Sequence, residues 1–307
     1  MDKGSEQSMG AYQISVPGHT ASEEAVRMRA YLEAQLKELE RFGAGFDLEE
    51  VGQGDRTVFR CLNRKLGRQR EKGLRHGLGN AVAEYLITID EPALIRKIIR
   101  MDFRYRDPEE SKQIETYAFH LLSETEEEEE ETPYLHRKER MARQVANYFT
   151  HSRTLAVDGF FRFRMKRYKK VLVKLVEHAI DEYLLDQEYQ EFIDLLRYFV
   201  SAQQSKIPLV HVFHGGRRQF RLLTEEGNPL SLKEMDGVVQ ELMTESLSQE
   251  DLIVSTLLTA APERVVLHSL HPGENVIRTL VQIFEGRITV CKGCSDCHVH
   301  FRSREDG

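Results

Sequence analysis

Three of the chain's four cysteines fall within seven positions near its end, in VCKGCSDCHVHF at residues 290–301. Cys291, Cys294 and Cys297 are followed at once by His298, with His300 two residues on. Thiolates and imidazoles are the ligand types that suit zinc or an iron–sulfur cluster. The C-x2-C-x2-C spacing opens like a bacterial ferredoxin run, but the fourth cysteine and the proline that follow there are missing. A zinc site asks for four ligands. His298 is the nearest fourth donor; His300, His268 and Cys61 are the others in the sequence. Three ligands so close together strain a single tetrahedral site, and a cluster accommodates them better. Two other readings stand beside the metal: a redox pair such as Cys294-Ser-Asp-Cys297, and reduced surface thiols on a terminal loop with no function.

The elements that must hold this cluster are strand, helix and strand. RVVLH (264–268), a turn at Pro272-Gly273, a helix over 274–285 and RITVC (287–291) read as a βαβ unit with parallel strands. Both strands then finish at one edge of the sheet, with His268 and His271 past the first and the cysteines past the second. That edge is where open α/β sheets bind ligands. LVHVFH before Gly215-Gly216 and RQFRLLT after it read as two more strands, and helices are expected near 231–246 and 249–260. In VHVFH and LHSLH the histidines stand at i and i+3, on opposite faces of a strand, so neither pair is a ready chelate.

The chain begins in the same mixed style. AYQISV (11–16) reads as a strand, Thr20 and Glu23 as a capping box opening a helix that Gly43 ends, and FDLEEV with RTVFRCL as a hairpin. Helical spacing governs the middle. Phe161, Met165, Tyr168, Leu172, Leu175 and Ala179 follow one another at 4, 3, 4, 3 and 4 residues. The run ETEEEEEE (124–131) interrupts it with repelling like charges, and Thr132-Pro133 restarts a helix. The fold class expected is therefore α/β with α+β character. An N-terminal β-α-β-β segment (1–72) and a C-terminal mixed α/β segment (207–307) are separated by a helical region (73–206) that carries the acidic run 124–131.

Composition narrows the function classes. The 307 residues are 40% hydrophobic and 30% charged, which describes a folded chain. A net charge of −7 gives no general attraction to nucleic acid or anionic lipid. No secretory signal and no span of about 18 apolar residues stand out, so a cytoplasmic protein with no membrane span is expected. Two basic stretches, Arg64–Arg75 and FFRFRMKRYKK (160–170), offer a nucleic-acid contact. In the second, the rings fall on the stripe that must be buried, which disfavours that use. Gly77-Leu78-Gly79 matches a dinucleotide loop only faintly, without the buried strand before it. No carboxylate pair is placed as acid and base, and the residues do not decide between enzyme and non-enzyme.

The stretch DGFFRFRMKRYKKVLVKLVEHAIDEYLLDQEYQEFIDLLRYFVSAQQSKIPLVHVFH (158–214) resembles the long helical signature of the YtxC-like sporulation proteins of endospore-forming bacteria. EDLIVSTLLTAAPERVVLH and the terminal VCKGCSDC are similar to the ending of that family. The resemblance is clearest over residues 158–297. It implies a role in or around sporulation and carries no catalytic residues. With it, the expected function is an interaction protein with a protein partner, holding zinc or an iron–sulfur cluster at Cys291, Cys294, Cys297 and His298. An enzyme or redox protein using the strand-end site, and a nucleic-acid-binding module, are the alternatives.

Overall fold

A computed structural model describes residues 11–41, 45–63, 68–124, 133–215, 220–230, 249–295 and 297. The chain divides into two compact units, Met1–Leu184 and Leu185–Gly307. The class is the mixed α/β one expected, and the strands of the two ends form two separate sheets.

In the first unit, β1 (Ala11–Pro17), α1 (Glu23–Glu40), β2 (Phe46–Gln53) and β3 (Arg56–Asn63) follow the β-α-β-β reading. The sheet order is β2-β3-β1-β4, where β4 (Thr154–Ala156) is a short strand pairing parallel to β1. Alternation along β1 places Tyr12, Ile14 and Val16 in the core against Met28, Leu32 and Leu36 of α1. The cap of α1 differs from the expected one. Ser22, not Thr20, is the N-cap, and its Oγ accepts from the Ala25 N–H at 3.2 Å. The reason is the turn before it: Gly18 sits at φ +91 and the Ser22 N–H donates to the His19 carbonyl, so Thr20 is used up in the turn. Gly43 lies outside the described residues, as do Arg64–Gly67, the run 125–131 and Thr132.

The helices α2 (Arg68–Tyr85), α3 (Glu91–Lys97), α4 (Pro108–Glu124), α5 (Pro133–Tyr148) and α6 (Val157–Arg164) complete this unit with the first part of α7 (Lys166–Ala202). Gly77 and Gly79 lie inside α2, so they belong to a helix face and form no phosphate loop. π-helical turns at Leu86–Asp90 and Ile98–Asp102 flank α3. The stripe expected from Phe161 onward is broken at Met165, where α6 ends and α7 begins. From there Leu172, Val176, Ala179 and Tyr183 of α7 pack against Ile95, Ile98, Ile114 and Ala118.

In the second unit, β5 (Ile207–His214), β6 (Phe220–Thr224), α8 (Gln249–Ala260), β7 (Pro262–Ser269), α9 (Asn275–Ile283) and β8 (Ile288–Val290) build a sheet of order β6-β5-β7-β8. Strands β5, β7 and β8 are parallel, and β6 is antiparallel to β5. One face carries Val210, Val212, Val265 and Leu267, packed under Ile193 and Val200 of α7, Ile253 and Leu257 of α8 and Val276 and Leu280 of α9. The opposite face carries His211, Phe213, Val266 and His268. The helix expected near 231–246 falls outside the described residues. Among the described residues no helix is long and apolar enough to cross a membrane.

Candidate metal centre

The β7–α9–β8 crossover brings the ends of two parallel strands together. Phe213 of β5 pairs with His268 of β7, and Leu267 of β7 pairs with Val290 of β8. The Cys291 N–H continues that ladder by donating to the Leu267 carbonyl at 2.8 Å. Cys291 is thus the rung beside His268, on the face away from the helices. Strand β5 runs parallel to β7, so its end comes to this edge too.

The turn after Cys291 folds the other sulfurs back. Gly293 has φ +116, a conformation that favours glycine. Its N–H donates to Cys291 Sγ at 3.3 Å. Cys294 Sγ lies 3.7 Å from Cys297 Sγ, and Cys291 Sγ lies 3.8 Å from Cys297 Sγ. His268 Nδ1 completes the group at 3.2 Å from Cys297 Sγ and 3.6 Å from Cys294 Sγ. All four donor atoms lie within 4.8 Å of one another.

These spacings can be compared with a metal's geometry. A tetrahedral ion with bonds of about 2.3 Å to sulfur and about 2.0 Å to nitrogen separates its ligands by about 3.8 Å (S···S) and about 3.5 Å (S···N). The two S···S distances of 3.7 and 3.8 Å and the Cys294–His268 distance of 3.6 Å match those separations, while Cys297 and His268 stand closer at 3.2 Å. Cys291 is set by the strand end, and the turn at Gly293 returns the chain so that Cys294 and Cys297 face it. Burial first, then side-chain hydrogen bonding with Cys294 and Cys291, pushes the Cys297 thiol up to about 11. Three thiols this close resist ionising together, and a cation reverses that preference.

The surroundings hold the imidazole. His268 is 1% exposed and lies flat on the Phe213 ring, with centroids 4.3 Å apart and planes 7° apart. Its Nε2 is 3.0 Å from His211 Nδ1. His214, on the core face, is separate from this group. Its Nδ1 is 2.9 Å from Ser269 Oγ, and its Nε2 stands 3.3 Å from Glu274 Oε2. Burial lowers its basicity, against the raising effect of Glu274. The i, i+3 histidines do part to opposite faces.

Of the donors named from sequence, Cys291, Cys294, Cys297 and His268 come together. His298 and His300 lie outside the described residues. Cys61 is in the core of the first unit, where burial pushes its thiol up to about 12. In the 160–170 stretch Phe160 and Met165 are buried, while Phe163 is exposed between its arginines. His211 enters the sequence reading only as half of the VHVFH pair, and its place behind His268 is not anticipated there. Its contact depends on the β5–β7 register, and its only local signal was a strand-end position.

The comparisons with known proteins bear on which molecule this is. The model of the YtxC-like family matches residues 76–289. The chain belongs to the YtxC-like family. One relative in this family is the uncharacterized protein YtxC of Bacillus subtilis (strain 168), 26% identical over 211 residues, which are 67% of this chain and 73% of that protein. No solved structure matches the chain. The YtxC-like match takes in His211 and His268 and stops two residues before Cys291.

Proposed function

We propose that this YtxC-like chain is a zinc-binding interaction protein of the cell interior that acts in sporulation, with Cys291, Cys294, Cys297 and His268 holding one ion. The observation that carries the reading is the convergence of three thiols and one imidazole within 4.8 Å of one another. His268 takes the fourth position that the sequence offered to His298. Either a two-iron or a four-iron cluster would hold some of the four donors on different irons and spread them beyond the 4.8 Å within which they all lie, so the spacing favours a single ion over iron–sulfur. Four protein ligands leave no open position for a substrate, which makes the ion structural: it ties the segment after β8 to the end of β7. Reduced thiols suit the cytosol, and the sporulation role rests on family membership.

The partner in this reading is another protein. Leu195, Tyr198 and Phe199 stand exposed on α7 beside Asp186, Glu188, Glu191 and Asp194. Apolar anchors with an acidic flank suit a basic amphipathic helix. A second reading, a thiol enzyme with Cys297 as nucleophile and His268 as base, draws on the same 3.2 Å contact. It needs a thiol pushed down, and Cys297 is pushed up.

The test is metal analysis of protein purified without oxygen and without a metal-binding tag. About one zinc per chain is expected. It should be lost from a Cys291→Ser, Cys294→Ser, Cys297→Ser variant and from His268→Ala. The same variants, and a zinc-loaded Leu195→Glu, Tyr198→Glu variant, should fail to restore spore formation in an endospore-forming host lacking the gene. Zinc content unchanged by the cysteine replacements sinks the metal site. Full spore yield from all variants sinks the role.

A further inference from the structure

We propose that His211 is the positioning residue of the metal centre: its Nδ1 accepts a hydrogen bond from the Nε2–H of His268 and so holds the His268 ring with Nδ1 toward the three sulfurs. The inference rests on the zinc reading above and deepens it.

The protons follow from the distances. His268 Nδ1 is the ring atom that faces Cys297 and Cys294, at 3.2 and 3.6 Å. As a ligand it must offer a lone pair, so the neutral ring keeps its hydrogen on Nε2. That Nε2 stands 3.0 Å from His211 Nδ1, which accepts it. His211 in turn carries its own hydrogen on Nε2. Each ring thus has one tautomer, set by the other and by the sulfurs.

Orientation is constrained twice. Phe213 lies parallel to the His268 ring at 4.3 Å and limits its tilt. Stacking alone leaves the ring free to turn over within its plane of contact, which would exchange the nitrogen facing the sulfurs for a carbon. The bond to His211 removes that freedom. Its replacement by an apolar side chain would bury the Nε2–H of a 1% exposed ring without this acceptor. Ligating histidines are commonly held this way by carboxylates or carbonyls, and losing such a partner weakens metal binding. A neutral imidazole in that place adds no negative charge to a site that already holds three thiolates.

The experiment compares zinc affinity by chelator competition, with cobalt absorption as a second readout, in the full chain and in His211→Leu and His211→Gln. Leucine keeps bulk and lacks an acceptor; glutamine restores a carbonyl oxygen at similar reach. Expected is a loss of affinity of about 10–100-fold in His211→Leu with a changed cobalt spectrum, and recovery of most of the loss in His211→Gln. Wild-type affinity in His211→Leu overturns the proposal. Equal weakening in both variants does so as well, because the acceptor would then not be the cause. A wild-type chain that binds no zinc defeats the metal reading itself, a result separate from either of these.

Discussion

At Asp90 a carboxylate is held where charge is costly. It closes the π-helical turn Leu86–Asp90, and its Oδ2 is buried with no hydrogen-bond partner. Burial first, then the nearby carboxylates Asp158 and Glu24, raise it from 3.8 to about 7. The native state therefore keeps a proton that the unfolded chain releases. Stability contributed at this position falls as pH rises from about 4 to about 7 and is level above that. Asp90→Asn carries no charge at any of these pH values. Its advantage over the wild type should open across that window and reach on the order of 4 kcal/mol near pH 8. Urea unfolding of the first unit near pH 5 and near pH 8 measures it. A variant whose stability relative to wild type is the same at both values would show that Asp90 is ionised throughout.

Between elements, α2 and α5 approach closely at Gly79. A Cβ placed on Gly79 would stand 2.5 Å from the Ala142 carbonyl oxygen, a backbone atom that moves only with its helix. One placed on Gly77 would meet Leu39 Cδ1 at 2.7 Å, the end of a flexible side chain. Alanine gains about 1 kcal/mol over glycine within a helix, whereas forcing two helices apart costs about 1–3 kcal/mol. Gly79→Ala is expected to destabilise, and Gly77→Ala to be nearly neutral, because Leu39 can turn aside. Chemical denaturation of the two variants checks the order; a Gly79→Ala protein as stable as the wild type would mean that α2 slides at no cost. The glycines that faintly matched a nucleotide loop are thus explained by helix packing.

For the molecule as a whole, the division into two units, each with its own core, has a thermodynamic consequence. The four proposed metal ligands all belong to Leu185–Gly307. An ion bound by the native second unit stabilises that unit by mass action and leaves the other unchanged. Calorimetry is expected to resolve two transitions, and a strong chelator should lower only one of them by several degrees. A chelator shift equal in both transitions, or a single transition insensitive to it, would contradict this separation.

Much was legible in the residues themselves. The alternation in AYQISV, the helical spacing after Lys166 and the β-α-β pattern before Cys291 are local, and local patterns record which face is to be buried. The three cysteines were visible for the same reason: ligands from one turn are neighbours in sequence as well as in space. The cap at Ser22 was misplaced because the turn that uses up Thr20 is closed by Gly18 and Asp55, the latter distant in sequence. His268 as the donor beside the cysteines, and His211 behind it, could be decided only by tertiary structure. Both depend on parallel pairing between strands separated by 57 residues for the histidines and by 29 for His268 and Cys297. No periodicity within a strand encodes which neighbour it takes or in what register; burial of the shared core face decides that, and the opposite face inherits its rows of side chains from the result.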